Sequence, residues 1–107
     1  MLSIMVRFDL TDEIAAAAFD ALTAAVVPGI RAEEPGTLLY LTHRVDGAPL
    51  ARAFYEIYRD RDAHAAHEAR PAVADFLVAV ARLVTSTRVE LLTPDASSEA
   101  TVGAPVD

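Results

Sequence analysis

The hydrophobic pattern of the chain changes repeatedly between the two-residue period of a strand and the 3.6-residue period of a helix. Residues 2–9 alternate apolar with polar side chains, which predicts a half-buried strand. Between residues 15 and 26 the apolar side chains recur at helical spacing, which predicts a helix with Thr11 as its capping residue. Pro28-Gly29 is expected to kink or break this helix, because proline has no N–H to donate.

The same two periodicities continue through the rest of the chain. Asp46-Gly47 is typical of a hairpin turn, here extended by Ala48-Pro49, so two strands should pair around it. Pro71 is well placed as the first residue of a helix. The predicted elements are strands at 37–45, 50–58 and 85–92 and helices at 61–69 and 72–84.

This order of elements is β-α-β-β-α-β, with the second helical unit in two pieces. It predicts a ferredoxin-like α+β fold, in which a four-stranded antiparallel sheet carries its helices on one face. No repeat or internal boundary interrupts the pattern, so we assign residues 1–93 to one folded domain. Residues 94–107 have the composition of a C-terminal tail, which is ordinarily disordered.

The predicted strands carry apolar side chains on both faces, although the helices can cover only one of them. Leu39, Leu41, Tyr55 and Ile57 fall on the face away from the helices. An uncovered apolar face of this kind is rarely left in water, and a second copy packed sheet against sheet is the simplest cover. The sequence therefore predicts a homodimer.

The composition excludes several classes of chemistry. The chain has no cysteine, lysine, asparagine, glutamine or tryptophan, which removes cysteine nucleophiles, thiolate metal sites, lysine Schiff bases and the P-loop. A net charge of −7 argues against nucleic acid as a partner. The longest alanine-rich run, residues 14–27, is too short for a membrane span and contains Asp20. The N-terminus does not resemble a signal peptide, so we expect a cytoplasmic protein that binds neither membrane nor nucleic acid.

Two of the three histidines fall on the predicted helix 61–69. His64 and His67 lie three residues apart and share a face, with acidic residues nearby. Two histidines and a carboxylate can bind a metal, but this spacing is common on helices, so we expect no metal site. His67 either belongs to an active site or simply packs inward while its neighbour is solvated.

Glu56 is the carboxylate whose predicted position is most informative. It lies in the middle of a strand, on the same helix-facing side as Phe54 and Tyr58. Burial there raises the pKa of a carboxyl toward that of a useful base. The alternative is a structural ion pair of Glu56 with Arg7, Arg52 or Arg59.

Aromatic side chains suggest where a ligand would bind. Tyr40, Phe54 and Tyr58 fit the core, but a cavity between the sheet and the helices that is lined by such rings suits a flat, apolar ligand. His43 lies at the hairpin end of its strand and either lines this cavity or faces solvent. His64 is included as a further candidate for contact with the substrate.

Two stretches carry a family resemblance. Glu34-Pro35-Gly36 is followed by Tyr40, and a second spaced series begins at Glu56 and continues with Tyr58, Asp60, Ala63, His67 and Pro71. They resemble the start of the second strand, and the third strand with the short helix, of the antibiotic biosynthesis monooxygenase (ABM) family. The β-α-β-β-α-β order matches over about residues 2–93.

This resemblance implies a dimeric α/β barrel with a substrate cavity between each sheet and its own helices. Family members oxygenate quinol-like or polycyclic phenolic substrates with O2 and without metal, haem or flavin, so no cofactor is expected. The positions that match the motif are Tyr40, Glu56, Tyr58 and His67, of which we take His67 and Glu56 as catalytic. Haem-degrading relatives use an asparagine and a tryptophan, which this chain lacks.

Three functions remain open from the sequence. The first is a cofactor-independent monooxygenase acting on an electron-rich aromatic, either a quinol or a polyketide-like phenol. The second is an acid–base isomerase or lyase of a small polar metabolite, and the third is a non-catalytic module that binds a small molecule. A flat apolar cavity favours the first, a site ringed by arginine and histidine the second, and a cavity filled by phenylalanines the third.

Overall fold

Residues 1–102, which the computed structural model describes, form a four-stranded antiparallel sheet with the long helices on one face. This confirms the predicted ferredoxin-like α+β fold. The elements are β1 (Leu2–Leu10), α1 (Glu13–Glu33), β2 (Thr37–Val45), β3 (Ala48–Tyr58), α2 (Arg61–Ala69), α3 (Pro71–Ala81), β4 (Val84–Leu92) and α4 (Ala96–Glu99). Residues 103–107 of the predicted tail lie outside the described residues.

The sheet has the strand order β2-β3-β1-β4, and every neighbouring pair is antiparallel. Directly paired residues point to the same face, so the register defines the two faces of the sheet. Val6 pairs with Phe54 of β3 and with Val89 of β4, and this row faces the helices. Met5 pairs with Tyr55, and this row faces away from them.

Helix α1 is continuous through Pro28, so the predicted break does not occur. Pro28 cannot donate a hydrogen bond to the carbonyl of Ala24. The turn that follows nevertheless buries Ile30 in the core, and burying a side chain of this size stabilises by about 1.5–3 kcal/mol. Tertiary packing therefore overrides the local preference of the Pro-Gly pair.

Two further local predictions need correction. Asp12 rather than Thr11 caps α1, because its carboxylate accepts a hydrogen bond from the N–H of Ala15 at 2.8 Å. Strand β3 begins at Ala48, so Asp46-Gly47 alone forms the hairpin turn. Gly47 has a φ of +79° there, a conformation that glycine adopts without strain.

The boundary between α3 and β4 also lies earlier than predicted. Helix α3 ends at Ala81, and β4 begins at Val84. Val84 pairs with Leu10 in the sheet, so this β-branched residue joins the ladder rather than the end of the helix.

Four phenylalanines form the centre of the core between the sheet and the helices. Their ring centroids lie 4.9–6.4 Å apart in tilted, edge-on and stacked pairs, a spacing at which aromatic rings attract one another. The four are Phe8, Phe19, Phe54 and Phe76. This cluster holds α1 and α3 against the sheet and forms part of the walls of the cavities described below.

The sheet face away from the helices is partly uncovered in the single chain. Met5 and Leu41 on this face are 48% and 50% exposed. At its other end Ser3 is buried, and Ser3 pairs with Leu92, from which the chain continues into α4. The carboxylate of Glu99 in α4 lies 3.5 Å from the N-terminal amino group, so the described part of the tail forms a helical turn held near the start of β1.

Helix α1 satisfies the length and composition of a membrane span, with a mean hydropathy of 1.5 in its most apolar window. It extends further than the alanine-rich run considered in the sequence, because the helix continues past Pro28. Its inward side chains, including Phe19 and Val26, belong to the hydrophobic core. Core helices of globular domains pass the same test, and α1 packs as one of them.

Candidate active site

A cavity of about 170 Å³ lies between the helix-facing side of the sheet and helices α2 and α3. Five of the residues predicted for the site line it, namely Tyr40, Phe54, Glu56, His64 and His67. Much of the remaining wall is apolar and comes from β1, α3 and β4. Val89 and Leu91 of β4 are 57% and 60% exposed, so the cavity opens at this edge of the sheet.

His67 is buried on the inner face of α2 and pairs with Glu34 at the end of α1. Its Nδ1 lies 2.7 Å from Oε1 of Glu34. An ionised carboxylate can only accept hydrogen bonds, so Nδ1 is the protonated nitrogen of the ring. The other nitrogen, Nε2, is therefore unprotonated in the neutral imidazole and able to act as a base.

Glu34 accepts hydrogen bonds from three side chains. Besides His67, the hydroxyl of Thr37 donates to Oε1 at 2.7 Å and Nη1 of Arg70 donates to Oε2 at 2.7 Å. Burial alone would raise the pKa of Glu34, but these hydrogen bonds and the charge of His67 outweigh burial and lower it. Glu34 is therefore ionised at neutral pH and fixes the orientation of the His67 ring.

A close contact between two chain segments brings Glu34 and His67 together. A Cβ atom on Gly36 would lie only 2.6 Å from the Cβ of Ala63 in α2, so glycine is required there. Asp60 caps α2 by accepting a hydrogen bond from the N–H of Ala63 at 2.8 Å. The Pro-Gly segment before β2 thus packs directly against α2, one turn before His67.

Burial also sets the protonation state of His67. It lowers the pKa of His67 below its ordinary value of 6.5, and the hydrogen bond and charge of Glu34 only partly oppose this effect. The imidazole is therefore mostly neutral at pH 7. A neutral histidine with a bare Nε2 is the form that accepts a proton.

Glu56 is buried near the end of β3 and accepts a hydrogen bond from the hydroxyl of Tyr58 at 2.5 Å. Burial raises the pKa of Glu56 to about 7, the Tyr58 hydrogen bond opposes this, and the charges of Glu68 and Glu34 add to it. A protonated fraction of the carboxyl is thus present at neutral pH. It can donate or accept a proton in the range in which His67 is neutral.

Aromatic rings surround the imidazole of His67. The ring centroid of Tyr40 lies 5.4 Å from that of His67, and the ring of Tyr58 lies 5.3 Å away. The pKa of Tyr40 is raised by burial and by the charges of Glu56 and Glu34, so its hydroxyl stays protonated. Tyr58 is fully buried behind Glu56, where it orients the carboxylate rather than forming the cavity wall.

His43 does not lie with the other candidates. Its Nδ1 is 2.9 Å from the carbonyl oxygen of Ala53, and pairing with Ala53 places it on the sheet face away from the helices. The proposed ion pair of Glu56 is also not observed. The three arginines considered for it contact aspartates instead, in the pairs Arg7–Asp9, Arg52–Asp20 and Arg59–Asp60.

The sequence analysis did not identify Glu34 as a functional residue, although it noted the segment Glu34-Pro35-Gly36. Glu34 and His67 are 33 residues apart, and no periodicity connects them. The available signal was a carboxylate directly before a Pro-Gly stop that also belongs to the family motif. Leu77 and the apolar residues of β4 at the cavity opening were likewise not assigned to the site.

The histidines do not form a metal site with their acidic neighbours. Within residues 1–102, no group of three or more His, Asp or Glu side chains converges as metal ligands would. His64 instead places Nε2 at 3.7 Å from the carboxylate of Glu68, its neighbour one turn along α2. The two histidine rings lie 6.5 Å apart.

The fold and this cavity define a ferredoxin-like domain with a buried histidine–carboxylate pair facing an apolar pocket. The family model described as antibiotic biosynthesis monooxygenase matches residues 1–79. The chain therefore belongs to this family, as the sequence resemblance indicated. No curated protein is significantly similar to the chain in sequence.

Several solved structures share the fold over nearly the whole chain. The protein Rv0793 from Mycobacterium tuberculosis is 25% identical, with a TM-score of 0.79, over 88% of this chain and 94% of its own. Protein SO0527 from Shewanella oneidensis is also 25% identical, with a TM-score of 0.77, over 85% and 87% of the two chains. A protein from Caulobacter crescentus, provisionally named an antibiotic biosynthesis monooxygenase, is 19% identical, with a TM-score of 0.81. The match covers 88% of this chain and 89% of that protein.

Proposed function

We propose that this protein is a cytoplasmic, cofactor-independent monooxygenase that oxidises a small electron-rich phenol or hydroquinone with O2. The observation that carries the proposal is the buried His67, hydrogen-bonded to Glu34 and lining a largely apolar cavity. Such a cavity provides the three things this chemistry needs, namely a base, a dry environment and walls that orient a ring. The family membership supports the same type of reaction.

The first step is removal of a proton from a substrate hydroxyl. Nε2 of His67 accepts this proton, and the resulting imidazolium is stabilised by Glu34 through the Nδ1–H hydrogen bond of 2.7 Å. The phenolate is much richer in electrons than the phenol, so it can transfer one electron to O2. General base catalysis of this kind contributes about 10²–10⁴-fold to a rate.

The remaining steps require no electron donor besides the substrate. The aryloxyl radical and superoxide combine to form a C–O bond, which gives a peroxide on a ring carbon. Loss of the proton from that ring carbon, together with cleavage of the O–O bond, leaves one oxygen atom as a ring carbonyl and releases the other as water. For a hydroquinone, the sum is hydroquinone plus O2 giving hydroxyquinone plus water, with all four electrons supplied by the ring.

Glu56 is suited to the proton transfer that accompanies O–O cleavage. Its carboxyl lines the cavity and has a pKa raised to about 7 by burial, so a protonated fraction is present at neutral pH. The hydroxyl of Tyr58 holds its Oε1 and leaves the other oxygen to face the substrate. In this proposal the His67 imidazolium returns the phenol proton to the peroxide, and the neutral His67 then removes the proton of the peroxide-bearing ring carbon. Glu56 protonates the departing oxygen, which leaves as water.

The size and charge of the cavity favour a single aromatic ring. Its volume is about 170 Å³, and an apolar cavity of about 150 Å³ is large enough for benzene. A substituent on the ring could extend through the opening beside Val89 and Leu91. Among the described residues, no arginine lines this cavity, which argues against the alternative of an isomerase acting on a phosphorylated sugar.

We also propose that the protein is a homodimer that packs through the sheet face away from the helices. Met5, Leu41 and Tyr55 lie on this face, and the first two are about half exposed in the single chain. Light scattering at micromolar concentration should then give twice the mass of the chain. A stable monomer of 11.4 kDa would contradict the dimer.

The proposed reaction is tested by oxygen consumption with a panel of hydroquinones, naphthols and anthrones. One-ring hydroquinones should be turned over by protein that has been treated with a chelator. His67→Ala should lower kcat about 10²–10⁴-fold, and added imidazole should restore part of the activity, as expected for a missing base. No oxygen uptake with any substrate, or a fully active His67→Ala, would contradict the mechanism.

A further inference from the structure

A second cavity of about 420 Å³ lies between α1, the edge strand β2 and its neighbour β3. It is separate from the active-site cavity but shares one wall, the ring of Phe54. Its other apolar walls are Phe19 and the Val27-Pro28 segment of α1. Its volume falls in the range of small-molecule sites, about 300–1,000 Å³.

The charged side chains at this cavity carry one more positive than negative charge. The carboxylate of Asp20 forms an ion pair with Arg52. Nε of Arg52 lies 2.8 Å from Oδ1 of Asp20, and Nη2 lies 3.0 Å from Oδ2. Arg44 contacts the same carboxylate through one nitrogen at 3.1 Å and is 75% exposed. Arg52 already uses four of its five N–H donors, because its Nη1 also donates to two backbone carbonyls. Arg44 therefore keeps N–H donors available for an anion.

Two uncommitted polar groups lie in the helical wall of the same cavity. The hydroxyl oxygen of Thr23 is buried and, within the part of the chain that the structure describes, has no hydrogen-bond partner. The carbonyl of the neighbouring Ala24 lacks its usual helical donor, because the residue four positions later is Pro28, which has no N–H. Buried polar groups without partners are unusual in folded proteins, and a ligand hydroxyl could pair with both.

We propose that this second cavity binds a small hydroxylated aromatic carboxylate. The ring would pack between Phe19, Phe54 and Pro28, and the carboxylate would accept hydrogen bonds from Arg44 at the mouth of the cavity. The ring hydroxyl would accept from Thr23 and donate to the carbonyl of Ala24. Positive charge at this site is distinctive in a chain whose net charge is −7.

The two cavities thus select different ligands. The active-site cavity carries Glu56 and Glu68 and suits a neutral phenol, whereas the cavity beside α1 has Arg44 in excess and suits an anion. The shared ring of Phe54 gives a direct contact between the two sites. This proposal does not depend on the monooxygenase reaction, because binding can be measured without turnover.

The test uses 4-hydroxybenzoate as the probe and NMR titration of the isotope-labelled full chain as the readout. Saturable chemical shift changes should appear at Thr23 and Ala24 of α1 and at Thr42 of β2, which all line the cavity. Arg44→Ala should weaken binding about tenfold or more, since it removes a charge-assisted contact. Arg88→Ala is the matched control, because Arg88 is 77% exposed on the other edge of the sheet, and it should change the affinity less than about twofold.

Two further measurements separate this site from the active site. Ala24→Phe, at an exposed position of α1 that lines the cavity, should fill it and abolish binding while circular dichroism stays unchanged. His67→Ala should bind the probe as the wild type does, and phenol should bind more weakly than 4-hydroxybenzoate. The proposal is overturned by shifts centred on His67, by equal effects of Arg44→Ala and Arg88→Ala, or by no saturation up to about 10 mM.

Discussion

Replacing Glu56 by glutamine removes a buried ionisable group and preserves the shape of the side chain and its acceptor for the Tyr58 hydroxyl. Burial raises the pKa of Glu56 from 4.5 to about 7 in the folded protein. At about 1.4 kcal/mol per pH unit, holding the ionised form in the fold costs about 3 kcal/mol more than in the unfolded chain. The glutamine variant carries no such cost.

The sign of the effect follows from the raised pKa. The stability gained from the protonated carboxyl is fully present below pH 4.5 and is lost as the pH rises through about 7. The wild-type protein should therefore lose stability relative to Glu56→Gln as the solution becomes more alkaline. Between about pH 5 and about pH 8 this relative loss should amount to about 2.5 kcal/mol.

Urea unfolding at a fixed protein concentration measures this difference directly. The free energy of unfolding is compared between wild type and Glu56→Gln at several pH values, because their difference cancels the titration of all other groups. Glu13→Gln, an exposed carboxylate at the start of α1, is the matched control and should run parallel to the wild type. If the difference in the free energy of unfolding between wild type and Glu56→Gln does not change with pH, burial does not raise the pKa of Glu56 and the reasoning is refuted.

Three other outcomes are expected. The pH profile of kcat/KM should be bell-shaped, rising as His67 loses its proton below pH 6.5 and falling as Glu56 ionises near pH 7. In Glu56→Gln the fall at alkaline pH should disappear. If the variant keeps that fall, Glu56 is not the acid. Gly36→Ala should destabilise by about 1–3 kcal/mol in thermal unfolding, because its Cβ would meet that of Ala63 at 2.6 Å, and Ala63→Gly should rescue it. Asp12→Ala should cost about 1 kcal/mol through loss of the α1 cap, a result that an unchanged Tm would contradict.

Much of the fold could be predicted from the sequence because the local signals agree with the tertiary structure. Strand β2 and helix α2 begin and end at the predicted residues, where Pro35-Gly36 and the Asp60 cap mark the boundaries. The prediction failed at Pro28, where the local rule favours a break. The helix continues there because packing of the following turn in the core is a non-local effect that the rule does not contain.

The site was harder to predict because its main interaction connects distant parts of the chain. Placing Glu56 on the helix-facing side followed from the two-residue period of a strand, and the structure has it on that side. The partner of His67 is Glu34, at the end of another helix. No local pattern in the sequence indicates that these two residues are in contact. His43 follows Leu39 and Leu41 at two-residue spacing, so the same alternation indicates the face away from the helices, where the structure has it.

The contact between Gly36 and Ala63 has a consequence for how substrate range can change. Two main-chain segments meet there with no space for another carbon atom, so the backbone sets the separation of Glu34 from His67. The wall that would meet a substrate is made of other side chains, such as Leu77, Val89 and Leu91. Mutations in that wall can reshape the pocket without moving the base, so new substrates can be accommodated while the proton-transfer machinery stays in place.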